Sequence, residues 1–505
     1  MGEVRHLLVD ARPVDHPTAR NRGIGRYTIG LLGGLMEVGA PVVALYESDA
    51  EAELLLAAIP QLPLRRWSPG VVREFTVPGT WYLATQLMLH PIPLDPIPRI
   101  ITEAGIPVAA VMYDVIPERY PLQYQTRPTA RAQVLLRGVL TRTLDALLAI
   151  SEFAAETAAD ELQFPRGRIA TIGAGVEAQF KLADTDPWRH LHAVLPHDRR
   201  HIVVMVAGTD SRKNTERMIS AWGIVDATVR DGHHLVIIGA VDDTLLQQWQ
   251  QRASHAHVAA SVTFTGGISD DEIVALHQVA VLAVMPSTEE GFGLPVLEAA
   301  ACGCVVITSA ISSLPEVLAE PEAEFDPFDT ASIARAVERA LTDDDHRELL
   351  LAAGRRAVER WTWANTARAA IGAMAQLGPR QHRELRPPTR RVALMGRFDE
   401  SESGLANTAL ADAFEGLPTA PELHLLVDND GSARPIGSSP LRFPARALGR
   451  YVHRSLFDEI VTVETTGAGR RQATAPSHLS LGLSSNAAGD AVALLAWLDA
   501  TDELR

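Results

Sequence analysis

The chain has 505 residues, 47% of them hydrophobic and 21% charged, a globular composition that excludes a mostly disordered or collagen-like chain. Its net charge of −16 argues against a surface built throughout to attract phosphate backbones, so nucleic acid is not the expected partner. The two cysteines, Cys302 and Cys304, supply neither a disulfide framework nor a four-ligand zinc spacing and fit a reduced, cytoplasmic setting.

The opening, Met1–Arg12, reads as a short apolar strand without a signal-peptide core, and nowhere do about 18 apolar residues run uninterrupted; any membrane contact is expected to be peripheral. Short apolar runs alternating with helical patterns mark βα units and a parallel sheet. In the first third these runs are His6–Val9, Val42–Tyr46, Val108–Met112, Ala146–Ile150 and Ile169–Ile172. A second series comprises Ile202–Val206, Leu235–Ile238, Val262–Phe264, Val281–Met285 and Val305–Thr308. The polar stretch 182–200 between them reads as a linker, and a helical stretch Asp343–Gln376 closes the second series. After the break at Gly378-Pro379 and Arg386-Pro387-Pro388, Arg391–Met395 and Leu423–Val427 flank a helical Ala406–Phe414 and repeat the way the chain begins. The predicted fold is α/β: two doubly wound domains, 1–185 and 186–378, facing a cleft, followed by a partial or degenerate third α/β unit at 390–505.

The richest chemistry lies in Pro286-Ser287-Thr288-Glu289-Glu290-Gly291-Phe292-Gly293-Leu294-Pro295-Val296-Leu297-Glu298-Ala299. Pro295 suits a first helical turn, and the amides of Gly291, Phe292, Gly293 and Leu294 with the helix N-terminus make an anion or hydroxyl site. Glu290 lies in the loop and Glu298 about one helical turn inside, so both can face one ligand; carboxylates accept hydrogen bonds from sugar hydroxyls, and a ribose diol suits a bidentate carboxylate. A second element, Ala207-Gly208-Thr209-Asp210-Ser211-Arg212-Lys213-Asn214, follows a strand. There Arg212 and Lys213 can neutralise the charge on a departing diphosphate. Lysine is otherwise found only at Lys181, all other basic positions being arginine.

The first of these stretches resembles the E-x7-E signature of retaining GT-B glycosyltransferases of family GT4, and Ser312-Ser313-Leu314-Pro315-Glu316-Val317 and Phe325-Asp326-Pro327 resemble the same family downstream. The resemblance covers about residues 5–375 and implies two Rossmann-like domains of the GT-B kind. It implies that Glu290 contacts the transferred sugar near the reaction centre, that Glu298 holds the nucleotide ribose, and that the amides of Gly291 to Leu294 face the sugar and diphosphate. Arg212-Lys213-Asn214 is similar to the family's donor-phosphate motif, although Thr209 stands where many members carry a further arginine. The family needs no metal or other cofactor.

The first domain should supply the acceptor side. Arg22-Gly23-Ile24-Gly25-Arg26-Tyr27 follows the first strand and opens a helix, so Gly23 and Gly25 are candidates for an acceptor or phosphate loop; with Thr28 in place of a third glycine it is not a dinucleotide fingerprint. Met112-Tyr113-Asp114-Val115-Ile116-Pro117 and the later Tyr120-Pro121 resemble a motif of GT4 enzymes that build bacterial polysaccharides, with Tyr113 where relatives often have histidine. Asp114 is a candidate catalytic residue that orients acceptor or transferred sugar, or equally a carboxylate holding its own loop. Ser151 reads as a helix N-cap. A basic amphipathic pattern with Arg127, Arg131, Arg137 and Arg142 could touch anionic lipid or pack against the core. His90, His233 and His234 show no metal-ligand spacing.

The reading is thus a retaining hexosyltransferase that moves mannose from GDP-mannose to a glycan or lipid-linked glycan acceptor in polysaccharide or O-antigen assembly, cytoplasmic or peripheral at the inner face of the cytoplasmic membrane. A UDP-hexose donor is the alternative within the family, and a non-catalytic nucleotide-sugar-binding scaffold the alternative outside it.

Overall fold

The computed structural model describes residues 3–16, 23–87, 97–126, scattered positions within 130–141, 144–195 and 201–380, and the backbone of six strands between 391 and 483. The first sheet contains β1 (His6–Asp10), β2 (Val42–Tyr46), β3 (Leu64–Arg66), β4 (Thr80–Ala84), β5 (Val108–Met112), β6 (Ala146–Ala149) and β7 (Ile169–Thr171). They lie in the order β3-β2-β1-β4-β5-β6-β7, all parallel. The second sheet contains β8 (His201–Val206), β9 (His233–Ile238), β10 (Val262–Phe264), β11 (Ala280–Met285), β12 (Val305–Ser309) and β13 (Glu324–Phe325), in the order β10-β9-β8-β11-β12-β13, also parallel.

Covered by helices on both faces, these strands can be apolar throughout, which is why they read as continuous runs. Leu7, Leu8 and Val9 of β1 and Val203, Val204 and Met205 of β8 are fully buried. Each order reverses at one place, between β1 and β4 and between β8 and β11, and there the loops at the carboxyl ends of neighbouring strands diverge and leave a crevice. β3, β4 and β13 have no counterpart among the predicted strands. β4 pairs with both β1 and β5 in the middle of the first sheet, its short Thr-Trp-Tyr-Leu-Ala run following Pro78-Gly79 directly.

The helical stretch expected over 343–376 is two helices, Asp344–Arg360 and Trp363–Leu377. Trp361 leaves helical geometry with its indole Nε1 donating to Val317 O at 3.0 Å, and Thr362 starts the next helix by accepting from Asn365 N at 3.1 Å. The last helix crosses back to pack on Gly23–Glu37 of the first domain. The approach is so close that a Cβ on Gly34 would lie 2.2 Å from Trp363 O. The exit of the chain is tied to the same domain: Arg168 Nη2 donates to Gly378 O at 2.6 Å, and Arg380 N donates to an Asp145 carboxylate oxygen at 2.7 Å.

Beyond the break, β14 (Arg391–Gly396), β15 (Glu422–Val427), β16 (Arg442–Pro444) and β17 (Glu459–Thr465) pair in parallel as β16-β15-β14-β17. This is the arrangement of β3-β2-β1-β4 in the first sheet. β18 (Arg471–Thr474) and β19 (Ser480–Leu483) add an antiparallel edge. The predicted helix Ala406–Phe414 lies outside the described residues.

Candidate active site

Both crevices open onto the place where the domains meet. The loop after β11 carries Glu289, Glu290 and Gly291, and the helix Leu294–Ala301 begins from Gly293 in the left-handed region at φ 101° with Pro295 in its first turn. The loop is pinned from below by Ser313, whose hydroxyl donates to Glu290 O at 3.0 Å and Phe292 O at 2.8 Å, and Glu290 N donates to Ser312 Oγ at 3.2 Å. Phe292 itself is a core residue, edge-on to Trp361 with ring centroids 5.2 Å apart, so only its backbone can face a ligand.

Opposite stands the loop after β8. A short helical turn, Ser211–Lys213, is started by Asp210, and Asn214 at φ 59° locks it by donating to Pro286 O at 2.9 Å and Pro327 O at 2.8 Å. Lys213 Nζ donates to Glu290 Oε1 at 2.7 Å, so the two motifs found separately in the sequence face each other. Burial works against the charge of Glu290, but Lys213, Arg212 and the Ser287 hydroxyl hold its carboxyl below the usual glutamate range. Arg212 is already engaged: it pairs with Asp210 at 2.8 Å and donates to Glu289 O and Tyr124 Oη, each at 2.9 Å. The ammonium of Lys213 is therefore the more available cation, and Arg212 braces the loop.

From the first domain, the loop after β5 brings Tyr113 and Asp114 against Gly291. A Cβ on Gly291 would lie 2.3 Å from Tyr113 O and 3.3 Å from Asp114 Cβ. Asp114 accepts from Ile116 N at 3.1 Å, which satisfies one oxygen and holds its own turn. Ser151 does cap its helix, accepting from Ala154 N at 2.9 Å, and the same hydroxyl donates across the cleft to Gly291 O at 2.6 Å. The Glu316 carboxylate of the second domain accepts from Glu152 N and Phe153 N at 2.9 and 3.1 Å, where an anion is favoured by the helix N-terminus. Gly23 is the first residue of the helix Gly23–Glu37 and Gly25 is buried within its first turn; Arg22 lies outside the described residues.

Sequence reasoning missed the residues that join the domains. Glu289, 3% exposed, receives Arg119 Nη1 at 2.6 Å and the Tyr120 hydroxyl, Tyr124 Oη donates to Asp210 at 2.6 Å, and Gln123 donates to Ser211 Oγ at 2.9 Å. The short helices Ile116–Arg119 and Pro121–Tyr124 thus grip both donor-side loops of the second domain. In the sequence they are marked only by the Tyr113-Asp114-Val115-Ile116-Pro117 motif before them and by Tyr120-Pro121, which shares its family resemblance. Arg26 was also missed: its Nη2 lies 3.2 Å from Glu298 Oε1, and its Nε is bonded to Glu177. Burial pushes the Glu298 carboxyl up to about 7; Arg26 and Lys213 oppose the rise, and Glu177 and Asp270 add to it.

Arg137, expected on an amphipathic basic face, is turned inward to Glu118 with Nε to Oε1 at 2.8 Å, while Arg127, Arg131 and Arg142 lie outside the described residues. Cys302 and Cys304 are buried, and burial pushes the Cys302 thiol up to about 12. His234 is bonded to Thr263 Oγ1 at 2.8 Å, and His90 lies outside the described residues. Among the described residues no group of three or more His, Cys, Asp or Glu side chains is placed to hold a metal ion, and no helix is long and apolar enough to cross a membrane.

Two parallel-sheet domains meeting across a cleft at their switch points define the GT-B architecture of glycosyltransferases. The solved structure of Anabaena HepE in complex with UDP and glucose shares it at a TM-score of 0.57 with 15% identity, covering 74% of this chain and 100% of that one. A glycosyltransferase from Rickettsia africae does so at 0.55 with 13% identity, covering 74% and 98%. Residues 189–357 match the family model of glycosyl transferases group 1, which places the second domain in that family.

Among curated relatives, the serotype-specific mannosyltransferase WbdA of Escherichia coli is 32% identical over 270 residues, 53% of this chain and 33% of the relative. The O-antigen chain mannosyltransferase B of the same organism is 31% identical over 166 residues, 32% of this chain and 43% of the relative. A GDP-mannose-dependent phosphatidylinositol monomannoside mannosyltransferase of Mycobacterium tuberculosis is 32% identical over 174 residues, covering 32% and 44%. The aligned part of this chain thus spans a third to less than half of the length of these relatives.

Proposed function

We propose that this chain is a retaining mannosyltransferase that moves mannose from GDP-mannose to a hydroxyl of a glycan or lipid-linked glycan in polysaccharide assembly. The observation that carries the reading is the ion pair of Lys213 and Glu290, 2.7 Å long, formed by two separate loops at the mouth of the domain cleft. A cation beside a carboxylate is what a sugar diphosphate requires: the cation meets the phosphate, and the carboxylate meets the sugar. The choice of mannose and of guanine rests on the mannosyltransferase names of the relatives.

In this reading the donor lies on the second domain. Its diphosphate faces Lys213 and the amides of Gly291, Phe292, Gly293 and Leu294 at the helix N-terminus, its ribose meets Glu298, and Glu290 faces the transferred sugar. The acceptor enters from the first domain past Asp114 and the Gly23–Gly25 turn. The bond between the sugar's anomeric carbon and the phosphate oxygen breaks as the acceptor oxygen bonds to that carbon. The acceptor's proton passes to the leaving phosphate, whose negative charge Lys213 and the helix terminus stabilise. Retention follows if attack and departure share one face of the sugar, as the family resemblance implies. Contacts of Arg119, Tyr120, Tyr124 and Ser151 with the donor loops hold the domains together and keep water, the competing acceptor, out. With a lipid-linked acceptor the protein works at the membrane's cytoplasmic face.

The test is to incubate the purified chain with GDP-mannose and with UDP-linked hexoses, with and without glycan acceptor, and to measure nucleotide release. GDP release stimulated by acceptor is expected. Release from UDP donors alone refutes the mannose assignment, and release from none of them favours a binding subunit.

A further inference from the structure

Arg26 belongs to neither donor motif, yet three segments of the chain converge on it. It sits in the first turn of the helix that opens at Gly23, on the first domain. Its Nε is bonded to Glu177, on the segment that follows β7, and its guanidinium lies over the Phe180 ring at 5.4 Å. Its free end reaches the second domain, Nη2 standing 3.2 Å from Glu298 Oε1. That approach is an ion pair without hydrogen-bond alignment, since Arg26 Nη2 is buried with no hydrogen-bond partner. Among the described residues no donor is hydrogen-bonded to the Glu298 carboxylate, although the residue is 8% exposed. A buried carboxylate held by charge alone, with its acceptor sites unused, is an unfinished arrangement.

We infer that Arg26 is a positioning residue of the donor site: it orients the Glu298 carboxylate from one side, with its oxygens left open for the cis-diol of the donor's ribose. The inference rests on the donor placement proposed above. Two oxygens of one carboxylate match two neighbouring hydroxyls, and each bond to an ionised acceptor is stronger than one between neutral groups. Glu177 and Phe180 fix the guanidinium from behind, so it can brace Glu298 without covering the diol-binding edge. Charges facing Glu298 from the surrounding elements explain why the brace is needed: burial, Glu177 and Asp270 all favour the protonated acid, and Arg26, with help from Lys213, opposes them. Because Arg26 and Glu298 lie on different domains, the carboxylate is set for ribose only when the cleft is closed.

The experiment measures binding of GDP and UDP, each beside its 2′,3′-dideoxy counterpart, by calorimetry to the wild-type chain and to the Arg26→Gln, Arg26→Lys and Glu298→Gln variants. Arg26→Gln is expected to weaken the nucleotide that the wild type binds by about tenfold, the scale of one lost charge-assisted hydrogen bond. The dideoxy counterpart, lacking the diol, should bind wild type and variant within about twofold, which also shows that the variant is folded. Arg26→Lys, keeping the charge, should recover most of the loss, and Glu298→Gln combined with Arg26→Gln should lose little beyond either alone. Equal weakening of diol and dideoxy nucleotides, or none, with wild-type transfer intact overturns the role of Arg26 and leaves the transferase reading standing. A wild-type chain that binds neither GDP nor UDP overturns both.

Discussion

Replacing Gly291 by alanine tests how the two domains touch. The added methyl carbon would lie 2.3 Å from Tyr113 O, about 1 Å inside ordinary contact, and the obstructing atom is backbone on the other domain. The clash cannot be relieved by turning a side chain, nor is it in the interior of either domain. The domains can instead separate by about 1 Å along the contact, which stretches the 2.6 Å bond from Ser151 Oγ to Gly291 O and draws Asp114 away from the Gly291 backbone. A displacement of about 1 Å at a reacting centre costs on the order of a hundredfold in rate. Thermal stability should fall little, because a lost interdomain hydrogen bond contributes only ~1 kcal/mol. The assay is acceptor-dependent nucleotide release alongside thermal unfolding of Gly291→Ala and wild type. Wild-type turnover in the variant would refute the contact. A collapse in unfolding temperature with unfolding of both domains would show that the strain is not relieved by opening.

Lys213→Arg, nominally conservative, should weaken donor binding or turnover by about tenfold, because the flat guanidinium cannot occupy the slot in which a compact ammonium lies 2.7 Å from Glu290; unchanged kinetics would remove Lys213 from the donor site. Glu298→Gln should stabilise the chain at pH 8 and hardly at pH 5. With the folded carboxyl pushed up to about 7 by burial and its neighbours, from an ordinary value of 4.5, the cost of the buried charge is present above pH 7 and relieved as pH falls toward the unfolded value, up to ~3 kcal/mol. Denaturant melts at the two pH values check this, and an equal gain at both would contradict it. Glu289→Ala removes the acceptor of Arg119 and Tyr120 and should raise hydrolysis of the donor relative to transfer, read as free mannose against glycan product; an unchanged ratio would separate this grip from water exclusion.

What could be read from the residues and what could not divides by sequence distance. β1, β5, β6, β8, β9, β11 and β12 announce themselves because a strand covered on both faces is apolar through its middle. Glu290 and Glu298 are legible because one turn and one helix fix their spacing, and Ser151 because a cap bonds to an amide three residues on. Arg26, Arg119, Tyr120 and Tyr124 meet partners some 85 to 270 positions away on the other domain. Apart from the family resemblance that includes Tyr120, no local pattern distinguishes these residues from solvated surface groups. The same reason hid the second half of Ser151's work, a bond to Gly291 140 positions on. β4 escaped for another cause: its five residues stand directly between Pro78-Gly79 and the polar Thr85-Gln86, with little pattern on either side.

The return of the helix Trp363–Leu377 to the first domain has a mechanical consequence. The chain crosses between domains twice, once near residues 182–195 and once at Trp361-Thr362, so the second domain hangs from two strands of backbone, and a pair of pivots permits hinging while resisting twist. Because Gly378 and Arg380 are fastened to Arg168 and Asp145, the end of the last described helix is held by the first domain as the second one swings. The described chain therefore leaves the two-domain body from the first domain, and the loops that carry Lys213 and Glu290 can move without moving that exit.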